Sequence, residues 1–149
     1  MKEHHWMKYA ALAAGGLGLL LLIVLILNYG QGLEDRTWVV QEMNVDGTMT
    51  APAAEAPAYA VFEDGAIAGS TGCNNYTGAY ETDGGSMTIG PLAATRMACA
   101  SPLMEQEAAY FVLIEQVDGY KVSGNDLTLS NGDTELIRYT EGTVESNSG

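Results

Sequence analysis

Three side chains carry most of the chemical potential of this 149-residue chain: the thiols of Cys73 and Cys99 and the carboxylate of Glu107. The two cysteines are the only ones present and stand 26 positions apart, so they do not form a Cys-x-x-Cys redox pair. Outside the cytoplasm an isolated pair oxidises, and a bridge across this loop stabilises a small domain by about 3 to 4 kcal/mol. Buried free thiols are the other reading. The only histidines, His4 and His5, lie at the extreme N-terminus. The rest of the chain therefore cannot build a Ser-His-Asp triad, a Cys–His pair or a histidine-based metal site, and two thiolates alone leave a zinc shell incomplete. Carboxylates are the acid–base groups left. A hydrolase acting on envelope glycans needs only two of them, and Glu107 with Glu105, Glu63 or Asp64 supplies candidate pairs. Acidic residues are so abundant here that such pairs carry little weight. The expectation is no catalytic residue, no metal and no cofactor.

Charge and hydropathy divide the chain at one place. Residues 9–27 contain 16 apolar residues in a run of 19 without a charge, whereas the chain past residue 27 holds 18 acidic and 4 basic residues, a net of -14. Such a domain is repelled by nucleic acid and by anionic head groups. The apolar run rises about 28 Å as a helix, enough to cross a bilayer. Lys2 and Lys8 precede it and Glu34 and Asp35 follow it, so the N-terminus is expected in the cytoplasm and the acidic domain outside. A cleaved signal peptide, with secretion, is the rival. No Ala-x-Ala site follows the run, and no cysteine is placed for lipoprotein processing. The expected organisation is a cytoplasmic n-region (1–8), a transmembrane signal anchor (9–27), a linker (28–35), a folded domain (36–140) and a flexible polar tail (141–149).

Turn signals recur at short intervals through the acidic part: Asp46-Gly47, Asp64-Gly65, Asp83-Gly84-Gly85, Asp118-Gly119, Gly124-Asn125 and Asn131-Gly132. The runs between them, at 37–41, 59–62, 77–82, 86–89 and 126–130, are short and β-branched or aromatic, as in hairpins of an antiparallel sheet. The Ala/Pro-rich stretch 48–57 reads as a loop. One helix interrupts the pattern, with Ser101 as N-cap, Pro102 in its first turn and a body running from Leu103 to Val117. Leu103, Tyr110, Ile114 and Val117, flanked by Met104, Phe111 and Leu113, form its sheet-facing stripe. Glu107 falls inside that stripe, where an unpaired carboxylate is costly. It is an edge carboxylate favoured by the helix dipole, a structural acceptor for backbone amides, Arg96 or the Asn74/Asn75 turn, or a catalytic acid. The fold class is α+β and mainly β: a small antiparallel sheet or partly closed barrel with one packed helix, behind a transmembrane helix.

The block from Phe62 to Tyr80, with Gly69 and Gly72-Cys73-Asn74-Asn75-Tyr76-Thr77-Gly78-Ala79-Tyr80 in it, followed by Thr95-Arg96-Met97-Ala98-Cys99, then Glu107 with Phe111 and the closing Leu127-Thr128-Leu129, resembles the signature of the META/HslJ domain family. With Trp38 in the opening strand the resemblance covers roughly residues 36–140. It implies a small antiparallel β fold with one helix, found in envelope proteins and linked to heat shock, novobiocin resistance and, in a trypanosomatid, virulence. No biochemical activity is established for the family as a whole. The glycines permit turns or close backbone approach, and Tyr76 and Tyr80 share one strand face. The functional expectation is a membrane-tethered, non-enzymatic module that binds an envelope protein or a small amphipathic molecule in envelope stress or drug tolerance.

Overall fold

The computed structural model describes residues 18–20 and 32–144. Residues 18–20 are helical. The rest of the expected anchor, the n-region and the chain past residue 144 lie outside the described residues. No helix among the described residues is long and apolar enough to cross a membrane. A second compact unit begins at Leu33.

That unit contains ten strands and a helix: β1 (Thr37–Val45), β2 (Thr48–Thr50), β3 (Tyr59–Glu63), β4 (Ala66–Ser70), β5 (Asn75–Asp83), β6 (Ser86–Ile89), β7 (Ala93–Ala94), α1 (Ser101–Ile114), β8 (Gly119–Ser123), β9 (Asp126–Asn131) and β10 (Thr134–Glu141). Every pairing is antiparallel, and β10 returns to β1. The circuit β1-β3-β4-β5-β6-β8-β9-β10 is a closed eight-stranded barrel, where the sequence pointed only to partial closure. Closure removes the strand edges, apart from the short β2 and β7, which share edges with the long β1 and β5. Its narrowest seam is β6–β8, a single register pair, Ser86 with Gly119, backed by Met87 N–H to the Asp118 carbonyl and Tyr120 N–H to the Gly85 carbonyl.

The hairpin turns form where the Asp-Gly signals fall. Asp46-Gly47 and Asp64-Gly65 have positive φ at both residues, the conformation that matches the twist of flanking strands. Other sequence expectations are corrected. The stretch taken as a loop from residue 48 begins as β2, because the Asp46-Gly47 turn sends it back along β1. β4, β7, β8 and β10 are further strands beyond the five expected runs. Ser101 is the first helical residue, not the cap: Ala100 occupies the cap position, and the Ser101 hydroxyl donates to Glu105. The helix ends at Ile114, and its last bonds tighten to a three-residue span before Val117. Glu141 is the last residue of β10, held by an ion pair with Arg36 and by the Gly142 N–H to Thr37. Leu33 is buried and accepts the Trp38 indole N–H at 2.8 Å, so the folded unit begins before its first strand.

Alternation along the strands fills the interior. Trp38, Phe62, Ile67, Met87, Leu127, Leu129, Ile137 and Tyr139 are almost wholly buried. Helix α1 adds Tyr110, which is fully buried between Tyr76 of β5 and Tyr139 of β10. The direction of this ladder is dictated by its end. The Tyr59 carbonyl can only accept, so Tyr76 donates to it at 3.1 Å, Tyr110 donates to Tyr76, and Tyr139 donates to Tyr110 at 3.1 Å. All three phenols are held well above their usual range, first by burial and next by the charge a neighbouring phenolate would carry.

These shifts set the alkaline limit of the fold. Below pH of about 10 the phenols are neutral in both states and contribute no pH dependence. Above it the unfolded chain sheds protons that the folded one keeps, those of these three phenols and of Tyr80, which burial and its bond to Glu34 also raise, so stability falls as pH rises. Urea titrations between pH 8 and 11.5 should show this decline starting near 10, and Tyr139→Phe should make it shallower.

Candidate functional site

The signature residues gather where the β4–β5 turn, the strap 95–99 and helix α1 meet. Gly72, with φ +92°, turns the chain between β4 and β5. A Cβ there would lie 2.5 Å from the Ala56 carbonyl oxygen and 2.7 Å from the Gln106 amide nitrogen, so only glycine fits. Gly69 is equally constrained across the β3–β4 pair, since its Cβ would stand 2.0 Å from the Tyr59 carbonyl oxygen. Gly78 packs under Leu92.

This turn aims Asn74 inward, almost wholly buried. Its Nδ2 donates to Glu107 Oε1 at 3.0 Å and to the Met97 carbonyl at 3.2 Å. Its Oδ1 accepts from the Met97 N–H at 2.7 Å and the Thr95 hydroxyl at 2.9 Å. Both hydrogens and both acceptor positions of the amide are used. The Asn74 backbone N–H and the Thr71 hydroxyl donate to Glu107 Oε2 at 3.1 and 2.7 Å. Gln106, beside Glu107, accepts from the Ala53 N–H at 2.7 Å and donates to the Thr71 and Ala56 carbonyls. Among the described residues no buried side-chain polar atom lacks a partner.

Cys73 and Cys99 form a disulfide, S–S 2.01 Å, that fastens the strap beside this network. Asn75 is exposed and exchanges bonds with Thr95: its N–H reaches the Thr95 hydroxyl and its carbonyl accepts the Thr95 N–H. Tyr76 and Tyr80 do share the inward face. Tyr76 meets Phe111 edge-on at 6.1 Å, while Tyr80 meets Phe62 edge-on at 5.0 Å and donates to Glu34. Trp38 lies apart from the network, at the start of β1, under the Arg36 guanidinium at 4.4 Å.

Of the partners the sequence offers Glu107, the Asn74 turn is the one it meets; Arg96 is exposed and does not pair with it, and Met97 joins the network through its backbone, its side chain being 58% exposed. Met104 likewise faces outward, 39% exposed, while Gln106 takes the inward place because the turns supply amides and carbonyls that only a polar side chain can satisfy. Thr71 and Gln106 were not singled out from sequence. Thr71 stands inside the quoted block, and Gln106 is a polar residue beside Glu107, so position was the available signal.

The carboxylate pairs do not assemble. Glu63 and Asp64 lie at the turn before β4 and Glu107 beyond its far end, seven residues away and so on the order of 20 Å along an extended chain. Retaining and inverting glycosidases hold their carboxyls within about 10 Å. Glu105, two residues from Glu107, points to a different side of the helix and is exposed. Among the described residues no cluster of three His, Cys, Asp or Glu is arranged for a metal. A surface hollow of about 1080 Å³ crosses the outer face of β8–β10 and is lined by polar residues such as Lys121, Thr128, Asp133 and Arg138. Arg138 is occupied by Glu42 and Glu135.

The profile of the META domain matches residues 31–143, and this chain belongs to that family. It is similar to a protein from Burkholderia xenovorans solved by NMR, at 27% identity and TM-score 0.63, over 75% of this chain and 85% of that one. A second NMR structure is 25% identical with TM-score 0.56, covering 72% and 90%. A DUF4847 family protein from Bacteroides vulgatus, 13% identical with TM-score 0.53 over 80% and 99%, shares the fold. No curated protein matches the chain.

Removing the Asn74 amide strands several buried partners, so Asn74→Ala should cost about 3 kcal/mol or more in denaturant titrations followed by Trp38 fluorescence. Asn74→Asp sets a carboxylate against Glu107. Its destabilisation should grow as pH rises through about 4, where the unfolded chain loses protons that the folded pair retains, and ease toward acid. Cys73→Ala with Cys99→Ala should cost about 3 to 4 kcal/mol on the chain-entropy estimate.

Proposed function

We propose that this META domain is a non-enzymatic binding module, tethered by residues 9–27 with its N-terminus in the cytoplasm and the domain outside, that engages an envelope protein or a small amphipathic ligand in envelope-stress or drug tolerance. One observation carries the reading: the inward polar groups of the signature, those of Asn74 and Glu107, are consumed inside the molecule. Both oxygens of Glu107 and all four bonding positions of Asn74 are engaged, and the barrel interior is filled by side chains. Recognition on such a scaffold falls to its outer surface. The net of -14 past residue 27 directs that surface away from nucleic acid and anionic lipid. Tethering raises the local concentration of the module, so weak contacts suffice at the membrane.

Deleting the gene should sensitise the cell to envelope stress or to an amphipathic antibiotic such as novobiocin, and protease added outside intact spheroplasts should remove the domain. A Glu107→Gln chain that retains its fold should restore tolerance in full. A folded but inactive Glu107→Gln chain would sink this reading and favour the glycan hydrolase.

A further inference from the structure

Helix α1 buries Tyr110, Leu113 and Ile114 but also carries an apolar row on its outer side. Gln106 and Glu107 face the turns of the domain, whereas Met104, Ala108 and Val112, four apart and therefore stacked on one side, face solvent. Val112 is 58% exposed and Met104 39%. With Val45 at the end of β1, they are three of the four exposed large apolar residues in the unit that begins at Leu33. A helix that is apolar on its outer side is ordinarily covered.

Beside this ridge, between α1 and the β1–β2 hairpin, run two shallow hollows of about 270 and 260 Å³. Both are lined by Val45 and Ala109, so they join into one groove. Its charged lining residues are Glu105 in one hollow and Asp46 in the other, and no lysine or arginine lines either. The groove is an apolar trough bounded by carboxylates.

Charge selects the occupant. A second copy carries the same net of -14 past residue 27, and an anionic lipid surface has the same sign. We propose that the groove docks a cationic amphipathic segment of another protein, its apolar side chains lying against Val45, Ala109 and Val112 and its Lys or Arg side chains reaching Glu105 and Asp46. Apolar anchors recurring three and four apart, with basic flanks, complement this surface in the manner of a helix laid in a groove. The proposal rests on the binding-module reading and names the partner class and the face used.

The test uses the full chain in phosphatidylcholine nanodiscs and a fluorescent Lys/Leu peptide of roughly five helical turns with leucines three and four apart. A scrambled peptide of the same composition and empty nanodiscs serve as controls, and fluorescence anisotropy reads the affinity. Expected are saturable binding of the patterned peptide and binding of the scrambled one at least about ten-fold weaker. The uncharged pair Val45→Thr with Val112→Ser should weaken binding by about ten-fold, since both side chains line the groove and are exposed. Glu105→Gln with Asp46→Asn should weaken it several-fold and flatten its salt dependence. Thr88→Gln on β6 should change nothing. Equal affinity for both peptides, wild-type affinity in the Val45/Val112 variant, or no binding at all overturns the proposal. If tolerance to envelope stress still depends on the gene when the peptide result fails, the docking inference falls alone and the binding-module reading stands.

Discussion

The side-chain amide of Asn74 has two hydrogens and two acceptor positions, and in a site closed to water each one left unmade costs about 1 to 3 kcal/mol. All four are made, and their partners come from the strap, through Thr95 and Met97, and from the helix, through Glu107. These segments are not joined by the strand circuit. The barrel alone would leave the helix and the strap free to settle elsewhere, and a single buried amide removes that freedom because any other arrangement strands its polar atoms. The Cys73–Cys99 disulfide fastens the same strap covalently. Gly72 makes the arrangement reachable, since a side chain there would collide with Ala56 and Gln106.

From that junction the rest of the interior is organised by apolar alternation and by one polar thread. Glu107 fixes the helix, and one turn further on Tyr110 enters the barrel to join Tyr76 and Tyr139. Tyr76 ties the thread to β3 through the Tyr59 carbonyl, and Tyr139 belongs to β10, which closes the barrel on β1. Helix and barrel are therefore registered at two places, by a carboxylate at one and by phenols at the other. Both are fully satisfied networks, the condition under which buried polar groups specify a structure instead of weakening it.

This economy shapes what is left for function. A signature rich in Asn, Tyr, Thr and Glu invites a catalytic interpretation, but hydrogen bonds inside the fold use those groups. Gln106 and Glu107 are needed within, and an apolar row is left on the outer side of α1 beside the exposed Glu105. The same demand that satisfies the turns thus leaves Met104, Ala108 and Val112 toward solvent. On a domain this acidic, that surface differs from its surroundings in hydropathy.

Much of the architecture was legible in the residues. Asp-Gly pairs marked hairpin turns, since few residues accept positive φ at adjacent positions, and period-two patterns marked strands. The cysteine spacing in an extracytoplasmic reading pointed to the bridge, and the Gly-Cys-Asn-x-Tyr block to the family. Glu107 stood out as a carboxylate on an apolar stripe, with the Asn74/Asn75 turn among its expected partners. Other features depended on contacts between segments far apart in the chain. Ser101 reads as a cap, yet its hydroxyl is taken by Glu105 and Ala100 precedes the helix. Met104 reads as flanking the buried stripe, yet it is Gln106 that turns inward, because the carbonyls of Thr71 and Ala56, 35 and 50 positions away, require a donor. The sequence by itself determined the antiparallel hairpins, the helix and the divide between apolar N-terminus and acidic domain, because periodicity, turn chemistry and charge are local. Only the tertiary structure decided that the sheet closes, that Asn74 rather than Arg96 binds Glu107, and which side of the helix meets solvent, because hydrogen-bond satisfaction is settled between segments and leaves no local mark.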